Sequence, residues 1–229
     1  MPTDMSPAPA SPHRAGSLRL RLVSARPRLI WLVAFLACLG PLASLVWRFE
    51  TDQLAADPVE DIIRTTGDWA IRFLVASLLV TPLRRLLGWH GLARFRRMIG
   101  LYAFFYVVLH LTTYLFIDQG LDFQSILHDI LKRPYITVGM ATVILLIPLA
   151  VTSTDGMTRW LGGQRWRALH RIVYLAAMLG VVHYYLLVKL NINWPVIYGV
   201  ILLASLAWRV WEAANKPKPK RRRPVRRVA

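Results

Sequence analysis

The sequence predicts an all-α membrane protein, a bundle of six transmembrane helices with the N and C termini both cytoplasmic. Three observations predict it. Hydrophobic residues make up 55% of the 229 residues, more than an ordinary soluble domain carries. They fall into blocks close to the roughly 20 residues that a helix needs to cross the hydrocarbon core. The Lys and Arg residues collect in alternate connections between those blocks, as expected when positive charge stays on the cytoplasmic side.

The elements follow in order. Residues 1–28 read as a disordered cytoplasmic N-terminus, rich in Pro, Ser and Ala at first and then in arginine (Arg14, Arg19, Arg21, Arg26, Arg28). The first span runs from about Leu29 to Phe49. It is too long for a signal-peptide core and has no obvious cleavage site. The only cysteine, Cys38, lies inside it and reads as a small apolar filler. An acidic connection follows, with Glu50, Asp52, Asp57, Glu60, Asp61 and Asp68, and reads as periplasmic. The second span is Trp69 to Leu87, and the basic connection after it holds Arg84, Arg85, Arg94, Arg96 and Arg97. The third span is Ile99 to Ile117, followed by Asp118, Asp122 and Asp129. The fourth, Tyr135 to Val151, is short and contains Pro148, which a membrane helix tolerates when neighbours satisfy the freed carbonyl. Arg159, Arg165 and Arg167 return the chain to the cytoplasm before the fifth span, His170 to Val188, and the sixth, Trp194 to Trp211. Trp31, Trp69, Trp160, Trp194 and Trp211 read as interfacial anchors. Residues 29–211 thus form one transmembrane domain, and residues 212–229 form a basic cytoplasmic tail near anionic headgroups.

The same charges explain the net charge of +17. Most of it is arginine that sets topology, so no nucleic-acid partner is expected. No dinucleotide-binding glycine fingerprint and no P-loop occur, and Gly162-Gly163 is a turn signal. No connection is long enough for a nicotinamide-binding domain. Any redox chemistry must then use a membrane cofactor.

The candidate site residues are His110, His170 and His183, all within the expected spans. An ionisable side chain at membrane depth is costly and marks a functional site by default. Neutral imidazole is a metal ligand and an axial ligand of haem iron. His110 lies 13 residues beyond Arg97, and His183 lies 13 beyond His170. Both helices run outward, so both histidines sit about 20 Å up, at one depth. That is the requirement for one haem iron with two axial histidines. His170 sits lower and lacks a partner, because Arg96, Arg97 and Met98 stand at the foot of the third span. Thirteen residues turn an ideal helix by about 220° beyond whole turns, so His170 and His183 do not share a face. Two other readings stand beside this one. Each histidine can hydrogen-bond a neighbouring carbonyl or tyrosine, and Tyr106 and Tyr114 flank His110 at i−4 and i+4. Intramembrane histidines can also relay protons in a haem-free protein, although the third, fourth and fifth spans contain no carboxylate to continue such a path.

A set of motifs carries a resemblance over residues 28–212. These are Arg96-Arg-Met-Ile-Gly-Leu101, then His110, Lys132-Arg-Pro-Tyr-Ile-Thr-Val-Gly139, Leu149-Ala-Val-Thr-Ser153, and Trp166-Arg-Ala-Leu-His170-Arg leading to His183. With them the chain resembles the MsrQ family, also called YedZ, within the ferric-reductase-like transmembrane superfamily. The resemblance implies a six-helix core holding haem b, with His110, His170 and His183 as cofactor and iron ligands. It implies a multi-pass protein of the bacterial inner membrane. It also implies a flavin mononucleotide (FMN), electrons drawn from the quinone pool, and a periplasmic molybdoenzyme, MsrP, that repairs methionine sulfoxide in periplasmic proteins. The chain would then be an electron-transfer subunit with no catalytic reductase site of its own. Larger ferric reductases and NADPH oxidases use four histidines and an appended flavin and nicotinamide domain, and this chain departs from them in both respects. The alternative is a free-standing transmembrane cytochrome b that reduces metal ions or another periplasmic acceptor.

Overall fold

The computed structural model describes residues 13–88, 90–188 and 192–215. Among the described residues every regular element is helical. The expected disorder of residues 1–12 and the basic run after residue 215 lie outside them. The chain divides into two compact units, residues 1–52 and 53–229. The first holds one helix, α1 (His13–Glu50), which begins well before the expected Leu29. Helix α1 thus includes residues 13–28. Arg28–Glu50 is long and apolar enough to cross a membrane.

The second unit contains α2 (Pro58–Leu86), α3 (Phe95–Thr112), α4 (Phe123–Lys132), α5 (Pro134–Val151), α6 (Asp155–Leu169), α7 (Ile172–Leu187) and α8 (Asn193–Ala214). Helix α2 starts eleven residues before the expected Trp69 because a complete start signal stands there. The Asp57 carboxylate accepts from the Glu60 N–H, Pro58 occupies the first turn, and Glu60 and Asp61 complement the helix dipole. A short 3₁₀ turn, His90–Arg94, leads into α3, and α3 passes directly into a π turn at Thr113–Asp118. Helix α5 opens on Pro134 at its first turn. Helix α6 breaks at Gly162, whose positive φ of 72° suits glycine.

Among the described residues, four helices are long and apolar enough to span a membrane: Arg28–Glu50, Gly91–Asp118, Pro134–Val151 and Asn193–Ala214. The pair α6 and α7, bent by 47°, makes a fifth if taken together. Helix α2 is about 43 Å long at 1.5 Å per residue, but its apolar stretch is interrupted by Asp68 and Arg72. Those two are paired at 3.5 Å. The Arg72 Nε–H donates to the Tyr198 hydroxyl at 3.1 Å, and its guanidinium lies over the Trp69 ring. Length and composition thus give four or five spans.

Helix α2 packs mainly along α3, and α5 along α7, with α8 against both α7 and α2. The core between them is Leu74 and Leu78 of α2, Ala103 of α3, Leu146 of α5, Ala176 and Ala177 of α7, and Leu202 of α8. Ala103, Ala176 and Ala177 are at most 1% exposed. Lipid tails are as apolar as leucine, so helices in a bilayer associate through close packing, and small residues let their backbones approach. Outside this core, Ile144, Leu175, Val200, Leu203 and Val210 are exposed, as suits an acyl-chain environment.

Candidate functional site

His110 is near the end of α3, and His183 is in the last turns of α7. The structure brings them together, with ring centroids 6.1 Å apart and ring planes at 82°. Each ring is held in the same way. The Nδ1 of His110 lies 2.9 Å from the Ile63 carbonyl oxygen of α2. The Nδ1 of His183 lies 2.6 Å from the Tyr135 carbonyl oxygen of α5. A carbonyl only accepts, so Nδ1 carries the proton in both rings, and each Nε2 keeps its lone pair. Fixing one ring nitrogen on a carbonyl is the usual way to orient a histidine that ligates metal through the other.

Four residues after each carbonyl comes a glycine. A Cβ on Gly67 would stand 3.0 Å from His110 Nδ1, and one on Gly139 would stand 2.8 Å from His183 Nδ1. Each imidazole therefore lies against a glycine of the neighbouring helix, one turn beyond the carbonyl it binds. The α2–α3 and α5–α7 pairs carry the same device twice. Sequence reasoning missed both glycines as site residues. The available signal was the repeated spacing, Ile63 to Gly67 and Tyr135 to Gly139.

Both histidines line a cavity of about 550 Å³ between α2, α3, α5 and α7. Its apolar lining includes Leu74, Val107, Met140 and Leu146. Its charged lining includes Asp57, Glu60, Arg64, Asp118 and Arg133. The π turn at Thr113–Asp118 contributes Tyr114 and Asp118 to the lining. Arg64 pairs with Glu60 at 2.5 Å, and Arg133 pairs with Asp129 at 3.1 Å.

The donor set fits a haem iron. An imidazole nitrogen sits about 2 Å from a first-row metal ion. Two rings facing each other across one ion thus have centroids roughly 6 Å apart, close to the observed separation. A flat, mostly apolar macrocycle also suits the apolar lining, and of the charged lining residues only Arg64 and Arg133 could meet its acidic edge groups, since Asp57, Glu60, Asp68 and Asp118 carry the same sign as those groups. Among the described residues no group of three or more His, Cys, Asp or Glu is placed to hold a bare metal ion.

His170 is elsewhere. It lies in the turn between α6 and α7 and does not line this cavity. Its position outside α7 removes the difficulty of the 13-residue turn. Trp166 stacks on it at 4.0 Å and donates its Nε1–H to the Thr152 carbonyl at 2.9 Å. His170 Nε2 is 3.1 Å from the Thr152 hydroxyl, which itself donates to the Pro148 carbonyl at 2.6 Å. With the hydroxyl proton committed to Pro148, His170 Nε2 is the donor in that contact. Nearby, ion pairs join Arg97 to Asp155 and Arg85 to Glu212.

Comparison with known proteins agrees with this architecture. Residues 66–181 match the family described as ferric reductase like transmembrane component. A Caulobacter vibrioides protein named protein-methionine-sulfoxide reductase heme-binding subunit MsrQ is 48% identical over 194 residues, covering 83% of this chain and 92% of that protein. Proteins of the same name from Rhodospirillum rubrum and Herminiimonas arsenicoxydans are 52% and 49% identical, with 83% and 82% of this chain covered and 92% and 87% of theirs. With that identity over most of its length, and with the matched region containing His110 and most of the helices around the cavity, the chain belongs to the MsrQ family of ferric-reductase-like membrane proteins.

Proposed function

We propose that this chain is a multi-pass haem b electron-transfer subunit of the bacterial inner membrane. It takes electrons from the quinone pool and passes them to a periplasmic MsrP-like molybdoenzyme that repairs methionine sulfoxide. One observation carries the reading: two histidines of different helices, each with Nδ1 on a backbone carbonyl, line a common cavity with their rings 6.1 Å apart. His110 and His183 would hold the iron, and Arg64 and Arg133 would hold the acidic edge groups. The haem supplies one-electron chemistry when bound. The protein fixes both ligands and keeps them neutral, and it surrounds the site with apolar side chains that exclude water. With both His110 and His183 on the iron, the haem would carry electrons and would not bind substrate.

The topology within this reading is six spans with cytoplasmic termini. The alternating arginines support it, and so does the pairing of Asp68 and Arg72 within α2, which lowers the cost of carrying them across. FMN rests on the family resemblance alone, and no step is assigned to a flavin.

Reduced-minus-oxidised spectra and stopped-flow mixing test the proposal. His110→Ala and His183→Ala should each abolish the reduced haem band in protein that still inserts, while His170→Ala should retain it. Oxidised molybdoenzyme should rapidly reoxidise the pre-reduced protein, and free methionine sulfoxide should not. Reoxidation by the sulfoxide alone would make this chain the terminal reductase and overturn the reading.

A further inference from the structure

Helix α4 has three faces. At 100° per residue, Ile126, Asp129 and Ile130 share an arc of about 100°. These residues turn toward the protein, with Asp129 buried and both isoleucines half-buried. Gln124, Ser125, His128 and Lys132 share a second arc of about 100°, polar and exposed. Phe123, Leu127 and Leu131 share the third, about 80° wide. They are 81%, 58% and 76% exposed. A helix between protein and water needs only the first two faces.

The chain on either side says what covers the third. The candidate span containing α3 ends at Asp118, and the one formed by α5 begins at Pro134. Only residues 119–122 and Arg133 connect them to α4. Four residues reach at most about 14 Å, so α4 is held where the two spans leave the apolar core.

We propose that α4 lies in the plane of the membrane surface, with Phe123, Leu127 and Leu131 in the boundary between lipid headgroups and acyl chains. Its Gln124–His128–Lys132 face meets water, and its Asp129 face meets the helix bundle. Helices of this kind sink their apolar side about 5–10 Å into that boundary. The inward face has its own task. Asp129 accepts a hydrogen bond from the Tyr114 hydroxyl at 3.3 Å and forms an ion pair with the Arg133 Nε at 3.1 Å. Both partners line the cavity. The helix that lipid holds therefore also fixes two side chains of the cavity wall. The lipid face is independent of what fills the cavity, so its failure would leave the haem reading untouched.

The test uses the full chain carrying Cys38→Ala and one added cysteine: Phe123→Cys, Leu127→Cys, Leu131→Cys, Gln124→Cys or His128→Cys. Each is labelled with an environment-sensitive fluorophore in vesicles of phosphatidylethanolamine and phosphatidylglycerol. Acyl-chain-brominated lipid should quench positions 123, 127 and 131 several-fold more than 124 and 128, and aqueous iodide should show the reverse order. All five variants are at exposed positions, and each is checked for normal insertion and a normal unfolding transition before labelling. Equal quenching on both faces would overturn the proposal. So would iodide access to 123, 127 and 131 that disappears only when a periplasmic protein is added or the chain self-associates, since the face would then belong to a protein.

Discussion

Gly67 and Gly139 matter because of the side chain each lacks. A methyl group at either position meets an imidazole nitrogen at 3.0 or 2.8 Å, inside ordinary contact distance. At Gly139 something must shift, and at Gly67 the ring must give by a few tenths of an ångström; either movement disturbs the hydrogen bond to the Tyr135 or Ile63 carbonyl. Gly67→Ala and Gly139→Ala should therefore weaken haem retention about 10–100-fold, the usual cost of disturbing a ligand's supporting bond. Gly139→Ala should do more, because its contact is tighter. Haem-to-protein ratio after purification and the reduction potential measure this, and a merely structural role for the glycines would leave the potential unchanged. The proximity of His110 and His183 was legible in the sequence, because both lie the same number of residues beyond the foot of their expected spans. The glycines were not, because their role depends on which helix faces them. The carbonyls carry no side-chain signal at all. His170 was placed within the fifth span, but a turn leaves its Nε2 engaged with Thr152.

Elements of about 20 apolar residues were found from the sequence, with the ends of α5, α7 and α8 within a few positions but α1 and α2 starting well before the apolar run, and shorter ones were missed. Helices α4 and α6 lie in stretches read only as connections. Their charged and polar residues break the apolar run that marks a span, although α4 keeps apolar residues at i, i+4 and i+8. Its start is defined by Asp122, which accepts from the Gln124 N–H at 3.0 Å and the Ser125 hydroxyl at 2.8 Å. The Ser125 hydroxyl, helped by the Gln124 N–H, holds the Asp122 carboxyl below the usual carboxylate range. A lowered folded-state value means that the cap contributes fully above the unfolded carboxylate range, near pH 4. The contribution is lost as pH falls through the lowered value. Hydrogen exchange at the first-turn amides of α4 should thus speed up, beyond its intrinsic pH trend, on acidification below about pH 4. Asp122→Asn should remove that excess dependence, and an unchanged pH response in this variant would assign the effect to another group.

At the scale of the whole molecule, the distribution of arginine carries the topology, and hydropathy alone does not. Among the described residues, four helices qualify as spans by length and composition, or five with the bent α6–α7 pair. Helix α2 falls outside that set because of the charged residues that pair within it. Reporter fusions decide the count. Those at Pro58 and Gln124 should read periplasmic, and those at Gly91, Gly162 and after Glu212 cytoplasmic. A periplasmic reading at Gly162 would sink the six-span arrangement. The family was legible because its motifs sit on the helices that build the cavity. The division of the chain at residue 52 was not, since nothing in the apolar block of α1 distinguishes it from the other spans.

The two carbonyl-held rings have an electrical consequence. Each spends its only N–H on a peptide oxygen, which has no means of taking up a proton. In the proposed orientation, an electron reaching this pair from the inner side then moves outward with no proton beside it. Such transfer is electrogenic. It runs down a potential that is negative inside, and crossing the full membrane contributes about 2.3 kcal/mol per 100 mV. Repair outside the cell membrane would then draw on the membrane voltage as well as on its electron donor, and collapsing that voltage with an ionophore should slow it.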